Sequence, residues 1–148
     1  MNPFEFFIPQ NIIVGAGTLV RLPECAQKLG GTHAMLLSGP TLRKMGIVDK
    51  AAKYLEDAGM KVDIFTEIEA NPSVTTVEKA TTAFKEAGAD FIVALGGGSP
   101  MDVAKAVGVT AKYGGSITEY EGAHKVPGKI IPLIAIPTTA GTGSEVTA

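Results

Sequence analysis

Short, mainly apolar runs alternate along the chain with longer windows in which apolar residues recur every three or four positions. Four of the runs have the length of buried strands. They occupy residues 34–37, 62–65, 91–95 and 133–136. The windows between them are typical of amphipathic helices, with apolar faces that include Val48, Val77 and Val107. Because strands that are apolar on both faces need cover on both sides, the pattern predicts an α/β fold with a doubly wound, mostly parallel sheet.

The amino-terminal residues follow a different pattern. Residues 4–8 and 12–14 are two short apolar segments, and the sequence Pro-Gln-Asn lies between them. They predict an N-terminal β-hairpin ahead of the first helix. Strands of this kind are expected to pair with each other or with the sheet edge of another subunit.

Residues 96–102, Gly-Gly-Gly-Ser-Pro-Met-Asp, join the third predicted strand to a helical pattern that begins at Val103. Glycine permits backbone angles that a Cβ forbids, and it lets another group approach the main chain closely. Ser99 is expected to cap the helix, Pro100 to occupy its first position, and Asp102 to place a carboxylate near the positive end of the helix dipole. The junction therefore predicts a site for an anionic group such as phosphate.

A simpler interpretation of this junction is a well-capped helix, because a tight turn from strand to helix can use glycine for packing alone. Three consecutive glycines exceed what a cap requires, and this favours the additional phosphate site. Asp102 fits such a site less directly, since a carboxylate repels phosphate and is better suited to a hydroxyl or a carboxamide.

A second segment rich in hydroxyls and glycines, residues 137–147, follows the last predicted strand. Thr138, Thr139 and Thr142 are placed to donate to phosphate, ribose or carboxamide oxygens at the carboxyl end of the sheet, where open α/β sheets bind ligands. The alternative is a Ser/Thr-rich turn that caps another helix. Two such strand ends in one sheet favour a single ligand that contacts both.

Other candidate sites are weaker. Residues 15–17, Gly-Ala-Gly, begin like a dinucleotide fingerprint, but Val20 replaces the third glycine and no acidic residue follows at the expected spacing. The two histidines, His33 and His124, lack a partner at metal-ligand spacing. No Ser-His-Asp or Cys-His set is evident, so no catalytic or metal-binding residue is assigned within this chain.

Composition narrows the class of protein. The length of 148 residues fits one domain over residues 1–148, and a net charge of −2 without a basic stripe argues against a nucleic-acid partner. No apolar run approaches the ~20 residues that span a bilayer, so no membrane partner is expected. The single cysteine, Cys25, forms no internal disulfide, and the amino terminus lacks the positive region of a signal peptide. We therefore expect a cytoplasmic protein.

Taken together, residues 96–106 and 137–147 resemble the iron-containing (group III) alcohol dehydrogenases, and the similarity extends over the whole chain. The resemblance implies a Rossmann-like amino-terminal domain that binds NAD or NADP. In the family a helical carboxy-terminal domain follows and holds Fe(II) or another divalent metal such as Zn. The metal polarises the oxygen of a small alcohol or aldehyde while hydride passes to or from the nicotinamide. A homodimer formed through the amino-terminal strands is also implied.

The resemblance also implies which residues bind the cofactor. Gly97, Gly98 and Ser99 would receive the pyrophosphate. Asp102 would lie close to the nicotinamide, and the threonines would line the adenosine or phosphate side. The complete predicted set is Gly39, Asn71, Gly96, Gly97, Gly98, Ser99, Asp102, Thr138, Thr139, Thr142 and Thr147. Asn71 has a simpler interpretation as a turn residue before a helix.

The chain departs from the family pattern in its length. The family's metal-binding sequence lies beyond residue 148, so the chain is expected to be the cofactor-binding half, which ends at the start of a helix and is inactive alone. Alternatives are a glycerol dehydrogenase-like branch of the same superfamily and a stand-alone nucleotide-binding module without catalysis.

A second departure concerns the choice of dinucleotide. Family members restricted to NAD resemble one another in having Asp at the end of the first long strand, where this chain has Gly39. The glycine predicts that NADP is accepted, and even preferred, because the carboxylate that would repel a 2′-phosphate is missing. The phosphate contacts would then be Ser38, Thr41, Arg43 or Lys44.

Overall fold

The structure is a computed structural model that describes residues 12–14, 18–69, 71–120 and 127–137. The strands in these ranges are β1 (Ile12–Val14), β2 (His33–Leu37), β3 (Lys61–Phe65), β4 (Phe91–Gly96) and β5 (Leu133–Pro137). The α-helices are α1 (Thr18–Lys28), α2 (Pro40–Lys44), α3 (Ile47–Asp57), α4 (Val74–Ala87) and α5 (Gly98–Tyr113), and a 3₁₀ turn spans Ile117–Tyr120. The four long predicted strands are confirmed. The short helix α2 was not predicted.

The five strands form one sheet in the order β1-β5-β4-β2-β3, and every neighbouring pair is parallel. From β2 the chain moves to one side to form β3, and then crosses over β2 to form β4 on the other side. The direction of winding therefore reverses between β2 and β4. In open α/β sheets the crevice at such a reversal, outside the carboxyl ends of the strands, is where ligands bind.

Two apolar cores cover the two faces of the sheet, as a doubly wound fold requires. Strand β2 contributes to both, because successive side chains point to opposite faces. Ala34 and Leu36 pack with residues of α1 and α3, whereas Met35 and Leu37 pack with residues of α4 and α5. All four side chains are buried. This double burial explains why the strand appears in the sequence as a continuous apolar run.

Helix α4 has strong signals at both ends. Ser73 is its N-cap and accepts a hydrogen bond from the backbone N–H of Thr76 at 3.3 Å, while Thr76 Oγ1 accepts from the backbone N–H of Ser73. Gly88 ends the helix with a φ of 76°, a left-handed conformation that glycine adopts without strain. The loop between β3 and α4 is therefore fixed at the end where it enters the helix.

Strand β1 lies at an edge of the sheet beside β5, with Ile12 opposite Leu133. The sequence prediction paired the amino-terminal strands with each other or with another subunit, and it did not include β5. Helix α1 follows β1 in the chain and contacts β5, and this places β1 beside β5. Residues 4–8, the other arm of the predicted hairpin, lie outside the described residues.

Candidate functional site

The junction between β4 and α5 turns sharply at Gly96, which has a φ of +134°. A Cβ at this position would lie 3.2 Å from Pro100 Cγ and 3.4 Å from Leu42 Cδ1. Both the backbone angle and the close packing therefore require glycine here. At Gly98, by contrast, an added Cβ would meet nothing within 4 Å, so the space beside the start of α5 is open.

The structure corrects the predicted cap of α5. The helix begins at Gly98 with Gly97 as its N-cap, so Ser99 and Pro100 are its second and third residues. Because the chain already turns at Gly96, helical geometry starts two residues earlier than the sequence indicated. Proline is compatible with the third position, since the N–H groups of the first turn have no intrahelical acceptor. Gly97 makes no side-chain cap, which leaves the positive end of this helix exposed to solvent or a ligand.

A cleft of about 320 Å³ opens at the carboxyl ends of β2 and β4, where the sheet reverses its winding. It is lined by Gly39, Pro40, Thr41, Leu42, Ile68, Glu69, Gly96, Gly97, Ser99 and Pro100. Four residues of the predicted cofactor set, Gly39, Gly96, Gly97 and Ser99, thus lie together on one cleft. The remaining lining residues come from α2, from the loop that follows β3 and, with Pro100, from α5.

Ser38 does not contact the cleft as a phosphate ligand would. Its side chain is completely buried, its Oγ donates to the carbonyl oxygen of Leu95 at 2.7 Å, and its backbone N–H donates to the carbonyl oxygen of Phe65 at 3.1 Å. The residue joins the carboxyl ends of β2, β3 and β4. The prediction of a 2′-phosphate contact at Ser38 is therefore wrong, because its only hydroxyl is already used inside the protein.

The other three predicted phosphate contacts differ in position. Thr41 is exposed and lines the cleft. Arg43 and Lys44 are exposed on α2 but are not among the lining residues, and Arg43 Nε lies 3.6 Å from Asp49 Oδ1. Of the four candidates, only Thr41 faces the space that a dinucleotide would occupy.

Three further residues of the predicted set lie beside the cleft without lining it. Gly98 is exposed at the first position of α5, and Asn71 is exposed just before the capping sequence of α4. Asp102 is half-buried in α5, and this partial burial raises the pKa of its carboxyl, while the charge of Lys105 lowers it to a smaller extent. Thr138, Thr139, Thr142 and Thr147 lie outside the described residues.

Glu69 is a cleft residue that the sequence analysis missed. Its exposed carboxylate accepts a hydrogen bond from Thr76 Oγ1 at 2.5 Å. This bond, a hydrogen bond from its own backbone N–H and the charge of Lys79 hold the pKa of Glu69 below its ordinary value, against a small opposing effect of burial. The rule that an acidic residue after the strand beside the phosphate loop contacts ribose did not point to Glu69, because that strand is β2 and Glu69 follows β3.

Within the described ranges, no group of three or more His, Cys, Asp and Glu side chains is arranged to hold a metal ion. No helix in the same ranges is long and apolar enough to cross a membrane. The cleft is bordered by the carboxylate of Glu69 and by the amino-terminal ends of α5 and of the short helix α2.

The sequence was compared with known families and structures. Residues 9–148 match the family described as iron-containing alcohol dehydrogenase. The chain belongs to this family. Among curated relatives, the NAD-dependent methanol dehydrogenase of Bacillus methanolicus is 36% identical over 97% of the chain, and the choline dehydrogenase of Bacillus subtilis (strain 168) is 41% identical over 99%. The names of these relatives specify different alcohols.

A solved structure of 1,3-propanediol oxidoreductase, also an alcohol-metabolising enzyme by its name, superposes on 97% of the chain with a TM-score of 0.81 and 37% identity. The predicted Rossmann-like α/β fold is thereby confirmed. The chain spans 38% of the length of the two curated relatives and 37% of the solved structure.

Proposed function

We propose that residues 1–148 form the dinucleotide-binding domain of an oxidoreductase that interconverts a primary alcohol and an aldehyde. The observation that carries this proposal is the cleft at the reversal of the sheet, where the Gly96 turn and the open start of α5 meet Gly39 at the end of β2. Such a position suits NAD or NADP, because the helix dipole attracts the pyrophosphate and glycines admit it close to the backbone.

The residues of this chain contribute binding and orientation. In the proposal Gly97, Gly98 and Ser99 receive the pyrophosphate, and the buried core behind β4 keeps the junction rigid. Asp102 lies close to the nicotinamide, and Asn71 also approaches the cofactor. Thr138, Thr139, Thr142 and Thr147 complete the site. The dinucleotide supplies hydride transfer, which is the cofactor's own chemistry.

The metal of the proposed whole enzyme, iron or zinc, has no donor set among the described residues, so no step is assigned to it here. In this proposal the metal ligands belong to a second domain that the 148 residues do not contain. Each subunit of a cytoplasmic homodimer would carry both domains. The alcohol itself is left open, because the relatives named above act on different alcohols by their names.

A binding titration of the 148-residue chain tests the proposal directly. The chain has no tryptophan, so the fluorescence of bound NADH or NADPH is measured without energy transfer from that residue. We expect weak, saturable binding of a reduced dinucleotide, displaced by the oxidised form, and no alcohol turnover in the presence of Fe(II) or Zn(II). Absence of any dinucleotide binding would contradict the proposed site, and metal-dependent turnover by this chain alone would contradict the division between two domains.

A further inference from the structure

Glu69 is the one ionisable residue among the described residues that line the cleft. We propose that Glu69 is the specificity-determining residue of this site: its carboxylate accepts hydrogen bonds from the ribose hydroxyls of the dinucleotide and disfavours a 2′-phosphate. The proposal rests on the dinucleotide site proposed above and adds to it a choice between NAD and NADP. The family resemblance attributed this choice to residue 39, whereas the proposal attributes it to Glu69 in the loop after β3.

Glu69 and Gly39 line the same cleft. A Cβ built on Gly39 would point toward the carbonyl oxygen of Ile68, at 3.9 Å, and would meet no other atom within 4 Å. Residue 69 directly follows that carbonyl and lines the same cleft. Residues 39 and 69 therefore border the same cleft, and the space that a side chain at position 39 would occupy is open.

The carboxylate of Glu69 is held in place by a hydrogen bond. Thr76, buried at 5% exposure in the first turn of α4, donates from Oγ1 to Glu69 Oε1 at 2.5 Å. Thr76 belongs to the capping pair with Ser73, so the donor is itself fixed. A carboxylate accepts about four hydrogen bonds, and those from Thr76 and from its own backbone N–H leave capacity for a ligand hydroxyl. The carboxylate is thus anchored and still able to bind.

The charges around the cleft favour hydroxyl groups over a phosphate beside Glu69. None of the described lining residues is Lys or Arg, and the nearby Arg43 lies beside Asp49. Lys79, whose charge acts on Glu69, is not among the lining residues either. A 2′-phosphate beside Glu69 would therefore meet a carboxylate without a cation in the described lining, whereas hydroxyl groups would find an acceptor. In the proposed site the pyrophosphate lies at the start of α5, where the helix dipole favours an anion. The cleft thereby separates an anion-binding end from a hydroxyl-binding end.

Titration of NADH and NADPH against Glu69→Gln tests the inference. We expect the unmodified chain to bind NADH more tightly than NADPH, and E69Q to reduce the ratio of the two dissociation constants about tenfold, as loss of one charge-assisted interaction predicts. Glu67→Gln is the matched control, because Glu67 is an exposed carboxylate on the same loop that does not line the cleft. Glu69→Lys is expected to shift the ratio further toward NADPH.

The ratio of dissociation constants is internal to each variant, so partial loss of folded protein does not change it. If both dinucleotides bind and neither E69Q nor E69K moves the ratio, the role of Glu69 is refuted and the dinucleotide site stands. The same conclusion follows if E67Q moves the ratio as much as E69Q. If the unmodified chain binds neither dinucleotide, the proposed function itself fails and the inference fails with it.

Discussion

The hydroxyl of Ser38 donates to the carbonyl oxygen of Leu95 at 2.7 Å and so joins the carboxyl ends of two strands that are 57 residues apart in sequence. These are the strands, β2 and β4, between which the proposed cofactor site opens. Since Ser38 is completely buried, no water molecule from bulk solvent replaces this bond if the hydroxyl is removed. The floor of the cleft therefore depends on a polar contact inside an apolar core.

Replacement Ser38→Ala is expected to lower the free energy of unfolding by about 1–3 kcal/mol, because it leaves a buried carbonyl oxygen without this donor. Urea denaturation followed by circular dichroism measures the change. Thr41→Ala, which removes an exposed hydroxyl from the same cleft, is the control and should alter stability by less than about 0.5 kcal/mol. Equal stability of S38A and the unmodified chain would show that the bond contributes nothing.

The two glycines on either side of Gly97 are expected to respond in opposite ways to alanine. Gly96→Ala places a Cβ in a left-handed backbone against Pro100, at a cost of about 1–3 kcal/mol in stability. Gly98→Ala meets open space at the first position of α5, so stability should be unchanged or rise by up to about 1 kcal/mol.

The affinity for NADH tests whether Gly98 lies in the proposed pyrophosphate site. G98A is expected to bind NADH more weakly despite its stability, because the methyl group stands where the proposed pyrophosphate approaches the helix end. The measurement is the fluorescence titration described above, on samples whose folding has been checked by urea denaturation. A stable G98A that binds NADH as tightly as the unmodified chain would contradict close approach at this residue.

Asp102→Asn should stabilise the protein at neutral pH. Partial burial raises the pKa of Asp102 above its ordinary value near 3.8, so the folded state holds this proton more tightly than the unfolded state. Stability of the unmodified chain therefore falls as pH rises through the interval between the two pKa values, and asparagine avoids the loss. The difference between D102N and the unmodified chain in urea denaturation should vanish below the ordinary pKa.

Glu86→Gln serves as the control for this experiment, because Glu86 lies exposed on α4. At neutral pH it should leave the unfolding free energy within about 0.5 kcal/mol of the unmodified value. A D102N variant that is less stable at neutral pH would mean that the Asp102 carboxylate makes a net favourable interaction in the folded protein.

Asp90 should show the opposite dependence on pH. Burial, the largest single effect, raises the pKa of its carboxyl, but hydrogen bonds from Thr32 Oγ1 at 2.6 Å and from the backbone N–H groups of Thr32 and His33 together lower it by more. The stabilisation is present above the ordinary pKa and is lost as pH falls through the lowered folded value. Asp90→Asn should cost about 1 kcal/mol at pH 7, since the site is exposed.

Urea denaturation at pH 7 and at progressively lower pH measures the loss in D90N, which should shrink as the carboxylate of the unmodified chain becomes protonated. Asp90 lies at the amino end of β4, away from the cleft at the carboxyl end. Dinucleotide affinity is therefore expected to stay unchanged. A constant cost at all pH values would indicate that shape, and not charge, stabilises this loop.

The elements of the fold were predictable because each strand of the sheet centre is buried on both faces and appears as an apolar run. Helix α4 was also predictable, because its capping pair and its terminal glycine are local signals in the sequence. The pairing of β1 with β5 was not predictable, since a three-residue strand carries no pattern that specifies its neighbour. Helix α2 was missed because five residues are too few to establish a helical period.

The site was predictable where it depends on backbone geometry and not where it depends on packing. The glycines at positions 96 and 97 predict a turn from their residue type alone. Ser38 was predicted to contact the ligand and is buried, whereas Glu69 was not predicted and lines the cleft. Burial and tertiary contacts, which the local sequence does not specify, decide both outcomes. The start of α5 shifted by two residues for a related reason, since the turn at Gly96 fixes where the helix can begin.

The pairing of β1 with β5 joins segments about 120 residues apart, and this has a consequence for synthesis of the chain. Strands β2, β3 and β4 can associate as they emerge from the ribosome, whereas β1 must wait until β5 has been made. Closing so long a loop is costly and slow compared with local pairing. Of the five described strands, β1 is translated first, and it is therefore expected to enter the sheet after β2, β3 and β4.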